Sequence, residues 1–597
     1  MIPAMIKHVA GAIAVVVCLT CCVCGCVSPR SADLGVLTDY QRALVRRGPQ
    51  QRQAAEGIGQ LAPAPVAGLP ELKITKDPRT GTLQVYLPLE EAVIRALANS
   101  LDIRLVSFDP AMSHEEAVKA AAAFDYIVFG GWQYVKEDKQ SSSTFVSGQT
   151  KNWTYQAGIK QMTITGANWS LAYTLTGTRQ TANAFTTLAK YYEPTVALQV
   201  TQPLLRNAWW KYNLSQVELA QVNEAISAES FRQKVEEIVT NVINAYWEVM
   251  RTRVNLSILQ KLVNETEATL ERVKARGELD ATAVQIKQAE AAVESRRADV
   301  LLAERQVKDA QDVLVRLLAD PQINLLSEAE IIPATAPVTE QVQIDLTDRL
   351  ITALKHNPVL AQARLGLQTA DINVYVAENQ TLPRLDVTAS TTFQGLAGAV
   401  HEAHENLGTG NYASYAVGLT AEYPIGNRAA IAELRRQRLS RLRTITDIQN
   451  TADLLAQQLR LQVRTANNAY QQMLAYRATV AAAQEQLQAL EDTERIRGKL
   501  TPEFLQVKLQ AQEAVAQAQR AELTSLTVYN STLADLDRLS GTVLQVQQVR
   551  IALPPATDLA GWPEAKAPIP PASAPGAPVT VIDTYRKALT PGGGAEQ

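Results

Sequence analysis

Past residue 26 the chain of 597 residues has no cysteine: Cys18, Cys21, Cys22, Cys24 and Cys26 are the five it contains. The body can therefore hold neither a disulfide framework nor a thiol site. A dominant charge is lacking too. With a formal net charge of −3 and a pI near 6.1 there is no electrostatic footprint for nucleic acid. Also missing are a Gly-rich phosphate loop with its lysine, a nucleophile elbow and a paired acidic site, so the sequence offers no catalytic centre and calls for no cofactor. "HEAHE" at 401–405 is the nearest approach to a metal motif. Its His401 and His404 are three apart instead of the four a zinc-binding helix uses, and the segment reads as a solvated loop between strands.

What is present begins with an export signal. "MIPAMIKHVAGAIAVVVCLTCCVCGCVSPR" has a basic start at Lys7, an apolar core from Val9 to about Leu19 and small residues before a cysteine, too short for a spanning helix. "Val-Cys-Gly-Cys" at 23–26 resembles the bacterial lipobox. That resemblance implies acylation of Cys26, with Cys22 as the other candidate and ordinary signal cleavage as the alternative.

A glycine inside a helix costs about 1 kcal/mol relative to Ala. Yet Gly277 interrupts the Ala/Glu/Gln/Lys/Arg-rich run "RVKARGELDATAVQIKQAEAAVESRRADVL", and Gly498 does the same in "RIRGKLTPEFLQVKLQAQEAVAQAQRAEL". One offset of 221 residues links Gly277 to Gly498, Pro203 to Pro424 and Leu318 to Leu539, which argues for an internal duplication. Helical sections opening at "LPLEEAVIRALANS" and at "DLTDRLITALKHNP" align Leu97 with Leu354 at an offset of 257, so the first half carries 36 extra residues, among strands. Each glycine is followed by Leu and then by Asp280 or Thr501-Pro502. That is the chemistry of a reversal: Gly at positive φ closes one helix, Asp or Thr caps the next, and Pro starts it.

Period-two alternation predicts strands. Leu385, Val387, Ala389 and Phe393 oppose Asp386, Thr388, Ser390 and Thr392; Tyr415, Val417, Leu419, Ala421 and Tyr423 oppose Ala416, Gly418, Thr420 and Glu422. In the first half the apolar sets are Tyr126, Val128, Trp132 and Tyr134, then Trp169, Leu171, Tyr173 and Leu175, then Val196, Leu198 and Val200. Segments of about ten residues, apolar on one side and edged with Trp and Tyr, suit a transmembrane barrel, although a soluble sandwich alternates too. From Pro203 to Gly277 and from Pro424 to Gly498 the chain runs 74 residues with few breakers, a helix on the order of 100 Å. Beyond Gly277 a heptad sets Ile286, Val293, Val300, Val307 and Leu314 in one row and Ala289, Ala303, Ala310 and Leu317 in another, interrupted by Arg296.

Strand, strand, long helix, reversal and returning helix, repeated twice, resembles the outer membrane efflux protein family, the TolC-like channels. "LPLEEAVIRALANS", "TQPLLR", "INAYWEVM", "RVKARGEL" and "YPIGNRAAIAELRRQRL" carry the likeness, which covers about 85–545. It implies an α+β membrane protein in which a trimeric transmembrane β-barrel is continued by a long α-helical coiled-coil barrel, built from two internal structural repeats. It further implies a lipid-anchored homotrimer in the outer membrane with its tunnel in the periplasm, the exit duct of a tripartite efflux or type I secretion system. The partners would be outer-membrane lipid, a periplasmic membrane-fusion adaptor and an inner-membrane pump.

The family's tip motif maps onto Arg276, Gly277 and Leu279, and onto Arg497, Gly498 and Leu500, as adaptor contacts; the alternative is that each glycine only turns the chain. Where family members often carry an aspartate six residues past the second tip glycine, this chain has Phe504, with Ala283 in the first half and Glu503 the nearest acid. A periplasmic gate of Glu503, Phe504 and Val507 would be more apolar, or Phe504 packs between helices. The expected organisation is a signal peptide over 1–25, a linker or strap over 26–84, repeats over 85–330 and 345–545 joined by 331–344, and a Pro/Ala/Gly-rich tail over 546–597. The competing reading is a lipid-anchored periplasmic coiled-coil spacer without a pore.

Overall fold

The computed structural model describes residues 72, 74–76, 83–138, 149–180, 188–276, 283–323, 329–497, 501–547 and 549. The chain opens with β1 (Ile74–Lys76), β2 (Leu83–Leu87), α1 (Leu89–Asn99), α2 (Leu101–Val106) and α3 (Phe108–Ala121). Four strands follow: β3 (Ile127–Asp138), β4 (Gln149–Met162), β5 (Asn168–Gln180) and β6 (Lys190–Pro203). A short α4 (Trp210–Asn213) leads into the long α5 (Ser215–Ala275) and α6 (Ala283–Leu318). Then come β7 (Glu330–Pro333), α7 (Leu346–His356), α8 (Pro358–Gln380), β8 (Arg384–Gln394), α9 (Val400–Gly408) and β9 (Ala413–Glu422). The chain closes with α10 (Arg428–Arg497), α11 (Pro502–Leu539) and α12 (Val543–Val546).

The described residues divide into two compact units. One takes those up to Arg104 with Val235–Arg349 and Gln458–Val543; the other takes Leu105–Lys234, Leu350–Gln457 and those from Leu544 on. No helix among the described residues is long and apolar enough to cross a membrane.

In the first unit, β2 lies between antiparallel β1 and parallel β7, and its Val85 and Leu87 are fully buried. Tyr246 of α5 fastens this small sheet: its hydroxyl donates to the Leu87 carbonyl at 3.0 Å and accepts from the Thr335 amide at 2.9 Å. Arg95 of α1 is buried as well, and its charge is answered by Glu91 one turn earlier and by Asp320 at 2.6 Å. The connecting segment after β7 runs along α11. Asn530 accepts from the Val338 amide and Tyr529 from the Val342 amide, both at 2.9 Å, and Arg349 meets Asp537 at 2.7 Å.

The heptad of α6 faces inward with one correction. Ala289, Val293, Ala303, Val307 and Leu314 are buried as its pattern predicts, but near the end the buried positions are Gln311 and Leu318 instead of Ala310 and Leu317. A 3.6-residue helix drifts against a 3.5-residue repeat, and the drift carries Gln311 to the backbone of Ile331 on β7.

In the second unit a six-stranded antiparallel sheet runs in the order β3-β4-β5-β6-β8-β9. The first half of the chain thus supplies four strands and the second half two. Among the described residues of one chain this sheet does not close: β3 and β9 are its edges. The long helices start later than Pro203 and Pro424, because each leaves the sheet through a left-handed turn. Asn207 (φ 64°) and Trp209 (φ 73°) precede α5, and Gly426 (φ 87°) and Asn427 (φ 38°) precede α10. Both turns are tied to the end of α8. The Asn207 amide donates to Asn379 Oδ1 at 2.8 Å, and Asn427 Nδ2 donates to the Thr381 carbonyl at 2.9 Å. What remains is 61 residues of helix in α5 and 70 in α10.

Candidate functional site

The pleat sorts the six-stranded sheet into two chemically different faces. One face carries Val128, Trp132, Tyr155, Ile159, Leu171 and Leu198, with Val417 and Leu419 at its far edge. On the other stand Gln133, Thr154, Gln156, Thr174, Gln199 and Ser390. Tyr134, Trp153, Gly177 and Tyr192 form one row across four strands. Gly177 is required there, since a Cβ at that position would lie 2.2 Å from the Trp153 ring. Trp153 packs on Tyr155 and Tyr192 with ring centroids 5.3 and 5.5 Å apart. Toward the opposite end Trp169 meets Tyr126 at 6.2 Å. From Trp169 to Gly177 along β5 is ~26 Å at about 3.3 Å per residue. An apolar face of that strand length between aromatic rows has the pattern that strands of a barrel present to lipid.

In the other unit, the ends of the long helices are held together first by apolar contacts. Leu259, Leu262, Ala303 and Ala516 bring α5, α6 and α11 together. Nearer the reversals, Val273, Leu505 and Leu509 form a second cluster with Ile286 and Ala292. Polar side chains then cross the same helices. Arg296, read in the sequence only as a fault in the heptad, is buried: it donates to Thr266 Oγ1, to Gln512 Oε1 at 3.2 Å and to the Leu509 carbonyl at 2.7 Å. Burial pulls its pKa below the ordinary guanidinium value, and Glu513, 3.5 Å away, offsets part of that. Lys508 of α11 is fully buried and pairs with Glu494 of α10, which Arg272 of α5 also approaches at 3.6 Å. Sequence pattern marks Arg296 as polar in an apolar row, but nothing local points to partners 30 and 216 residues away.

The residues singled out in the sequence are distributed as follows. Gly277, Leu279, Gly498 and Leu500 lie outside the described residues, as does Cys26. Arg276 follows α5 in a turn, its amide bonded to the Val273 carbonyl at 3.2 Å, and Arg497 is the last residue of α10. Thr501 caps α11 by accepting from the Phe504 amide at 3.3 Å, with Pro502 at the first helical position and Glu503 exposed beside it. Phe504 packs against the Val273–Leu505–Leu509 cluster, while Val507 is 42% exposed.

"HEAHE" is a correction: it forms α9, a helix, where a loop was expected. The helix lies on the apolar face of the sheet. His404 Nδ1 donates to the Val400 carbonyl at 2.7 Å, which leaves Nε2 to accept from the Tyr173 hydroxyl at 2.6 Å. Gly395 permits the approach, because a Cβ there would sit 2.0 Å from the Ala403 carbonyl oxygen. Among the described residues no three His, Cys, Asp or Glu side chains gather as metal ligands.

Residues 350–542 match the profile of the family described as outer membrane efflux protein. This stretch resembles that family. It contains β8, β9 and the whole of α10 and α11. Solved structures extend a likeness of fold over most of the chain. The outer-membrane channel OprN shares 13% identity over 76% of this chain and 90% of its own, with a TM-score of 0.58. VceC, an outer membrane protein of Vibrio cholerae, shares 17% over 76% and 96%, at 0.56. The CmeC outer membrane channel of Campylobacter jejuni shares 14% over 76% and 86%, at 0.54. At such identities the likeness is one of fold. Among curated protein sequences no match is found.

Proposed function

We propose that this chain is the subunit of an outer-membrane channel, the exit duct of a tripartite efflux or type I secretion system. Three copies share one β-barrel and continue it as a helical tunnel into the periplasm, each copy contributing two repeats, 85–330 and 345–545. The observation that carries this reading is the sheet: one face apolar between aromatic rows, the other polar, both edges unpaired within the chain. A pore-free coiled-coil spacer has no use for such a sheet. In this reading Arg276, Gly277, Leu279, Arg497, Gly498 and Leu500 meet the periplasmic adaptor, which an inner-membrane pump feeds. Glu503, Phe504 and Val507 line the periplasmic constriction. Small molecules or polypeptides pass, driven by the pump, since no energy-converting site was found in the sequence.

Purified in detergent, the protein is expected to run as a heat-sensitive oligomer and to conduct ions across planar bilayers. A monomeric, non-conducting rod would favour the spacer. Acylation is tested separately. Cys26→Ala should abolish labelling by a radioactive fatty acid while Cys22→Ala leaves it intact, and the reverse result moves the anchor to Cys22. One acyl chain gives only marginal membrane binding, so the oligomer should survive Cys26→Ala wherever export does.

A further inference from the structure

We infer that the extra hairpin of the first half is part of the channel wall: β9 of one copy pairs with β3 of the next, so that three copies of a six-stranded sheet close a barrel of eighteen strands. This rests on the channel reading above and adds to it the strand count and hence the bore. The sequence offsets locate the added strands. An offset of 257 carries Arg384–Gln394 of β8 onto residues 127–137, which lie in β3; an offset of 221 carries Ala413–Glu422 of β9 onto residues 192–201, which lie in β6. The 36 extra residues therefore fall between β3 and β6, and the strands there are β4 and β5.

They are inserted in the middle of the sheet, not hung on its margin. β4 pairs with β3 from Ile127↔Lys160 to Asp138↔Gln149, and β5 pairs with β6 from Asn168↔Thr201 to Arg179↔Lys190. Folding the hairpin away from the wall would break continuous ladders. The two faces also cross the insertion unchanged: Tyr155 and Ile159 of β4 stand between Trp132 and Val128 of β3 and Leu175 and Leu171 of β5. A hairpin projecting into water would not be apolar on that one face.

The edges are built for pairing. Natural edge strands are protected by proline, bulges or a mid-strand charge. β3, "IVFGGWQYVKED", and β9, "ASYAVGLTAE", contain no proline and carry charge only at their ends. Apolar side chains on these two strands have a strand neighbour on one side only: Val128 is 80% and Tyr415 85% exposed, against 42% for Leu171 and 38% for Leu198 inside the sheet. Parity agrees. Every pairing in the sheet is antiparallel, so with six strands β9 runs opposite to β3, and a second copy continues the ladder without a parallel seam. An insertion of one strand would have prevented this. Barrel diameter grows roughly linearly with strand number, so six strands per copy instead of four widens the bore by about half, into the range where the interior is an aqueous channel.

Cysteine pairs test the seam in the full-length protein, because no native cysteine beyond Cys26 competes. Gln133→Cys in β3 is combined in turn with Ala416→Cys, Gly418→Cys and Thr420→Cys in β9, all on the polar face. The control replaces the β3 site with Thr174→Cys in β5. Val135→Cys serves as the β3 site should Gln133→Cys not assemble. On mild oxidation in the outer membrane, most of the chain should run as linked dimers and trimers for at least one β3–β9 pair and none for β5–β9. A conducting oligomer that links β9 to β5, or links neither, overturns the inference and leaves the channel reading standing. Absence of any heat-sensitive, conducting oligomer in the cysteine-free parent overturns both.

Discussion

With Leu279→Asp and Leu500→Asp in one chain, export is expected to fall more than tenfold while oligomer levels in the outer membrane stay at those of the parent. In the reading proposed above both leucines meet the adaptor at the reversals, and the cluster of Val273, Leu505 and Leu509 packs the helix ends beside them. The expectation is that a carboxylate introduced there leaves that cluster packed. If the reversals dock on an adaptor, however, each copy brings two unpaired charges into an interface, and stranding one buried charge costs about 2–5 kcal/mol. Crosslinking to the adaptor should fall in parallel with export. Full export with the adaptor crosslinked as before would mean that Gly277 and Gly498 only turn the chain.

The second large effect is expected at Arg296. Replacing it with Ala should destabilise the helical unit by about 3 kcal/mol, because Thr266, Gln512 and Glu513 lose their shared cationic partner in a buried setting. Lys should recover little of this. Its single ammonium cannot reach acceptors on α5 and α11 at once as the planar guanidinium fork does. Heat-dissociation of the purified oligomer measures the loss. A Lys variant as stable as the parent would show that charge alone, and not the fork, holds this site.

The strands were legible where alternation is strong. "RLDVTASTTF" and "NWSLAYTLTG" announce β8 and β5, while β4 was not singled out, because Ala157 and Gln161 dilute its apolar side and Gly158 its other side. The Thr501-Pro502 start of α11 was readable because caps are local chemistry. α9 was not, since what holds "HEAHE" as a helix is distant: Tyr173 on β5 and the missing Cβ of Gly395. Arg296 stood out by residue type, but its partners on two other helices are a property of the folded bundle. Sequence separation hides such ties.

The helix α9 ties a connection between two strands back to the sheet itself. It joins β8 to β9 at the end of the sheet away from Pro203 and Pro424. Here the Tyr173–His404 bond and the close seat at Gly395 give the connection one shape, with His401 and Glu405 displayed on its free side. The wall thus sets the shape of the connection between its own last two strands, so that a change at Tyr173 on β5 would be felt by α9, 231 residues further along the chain.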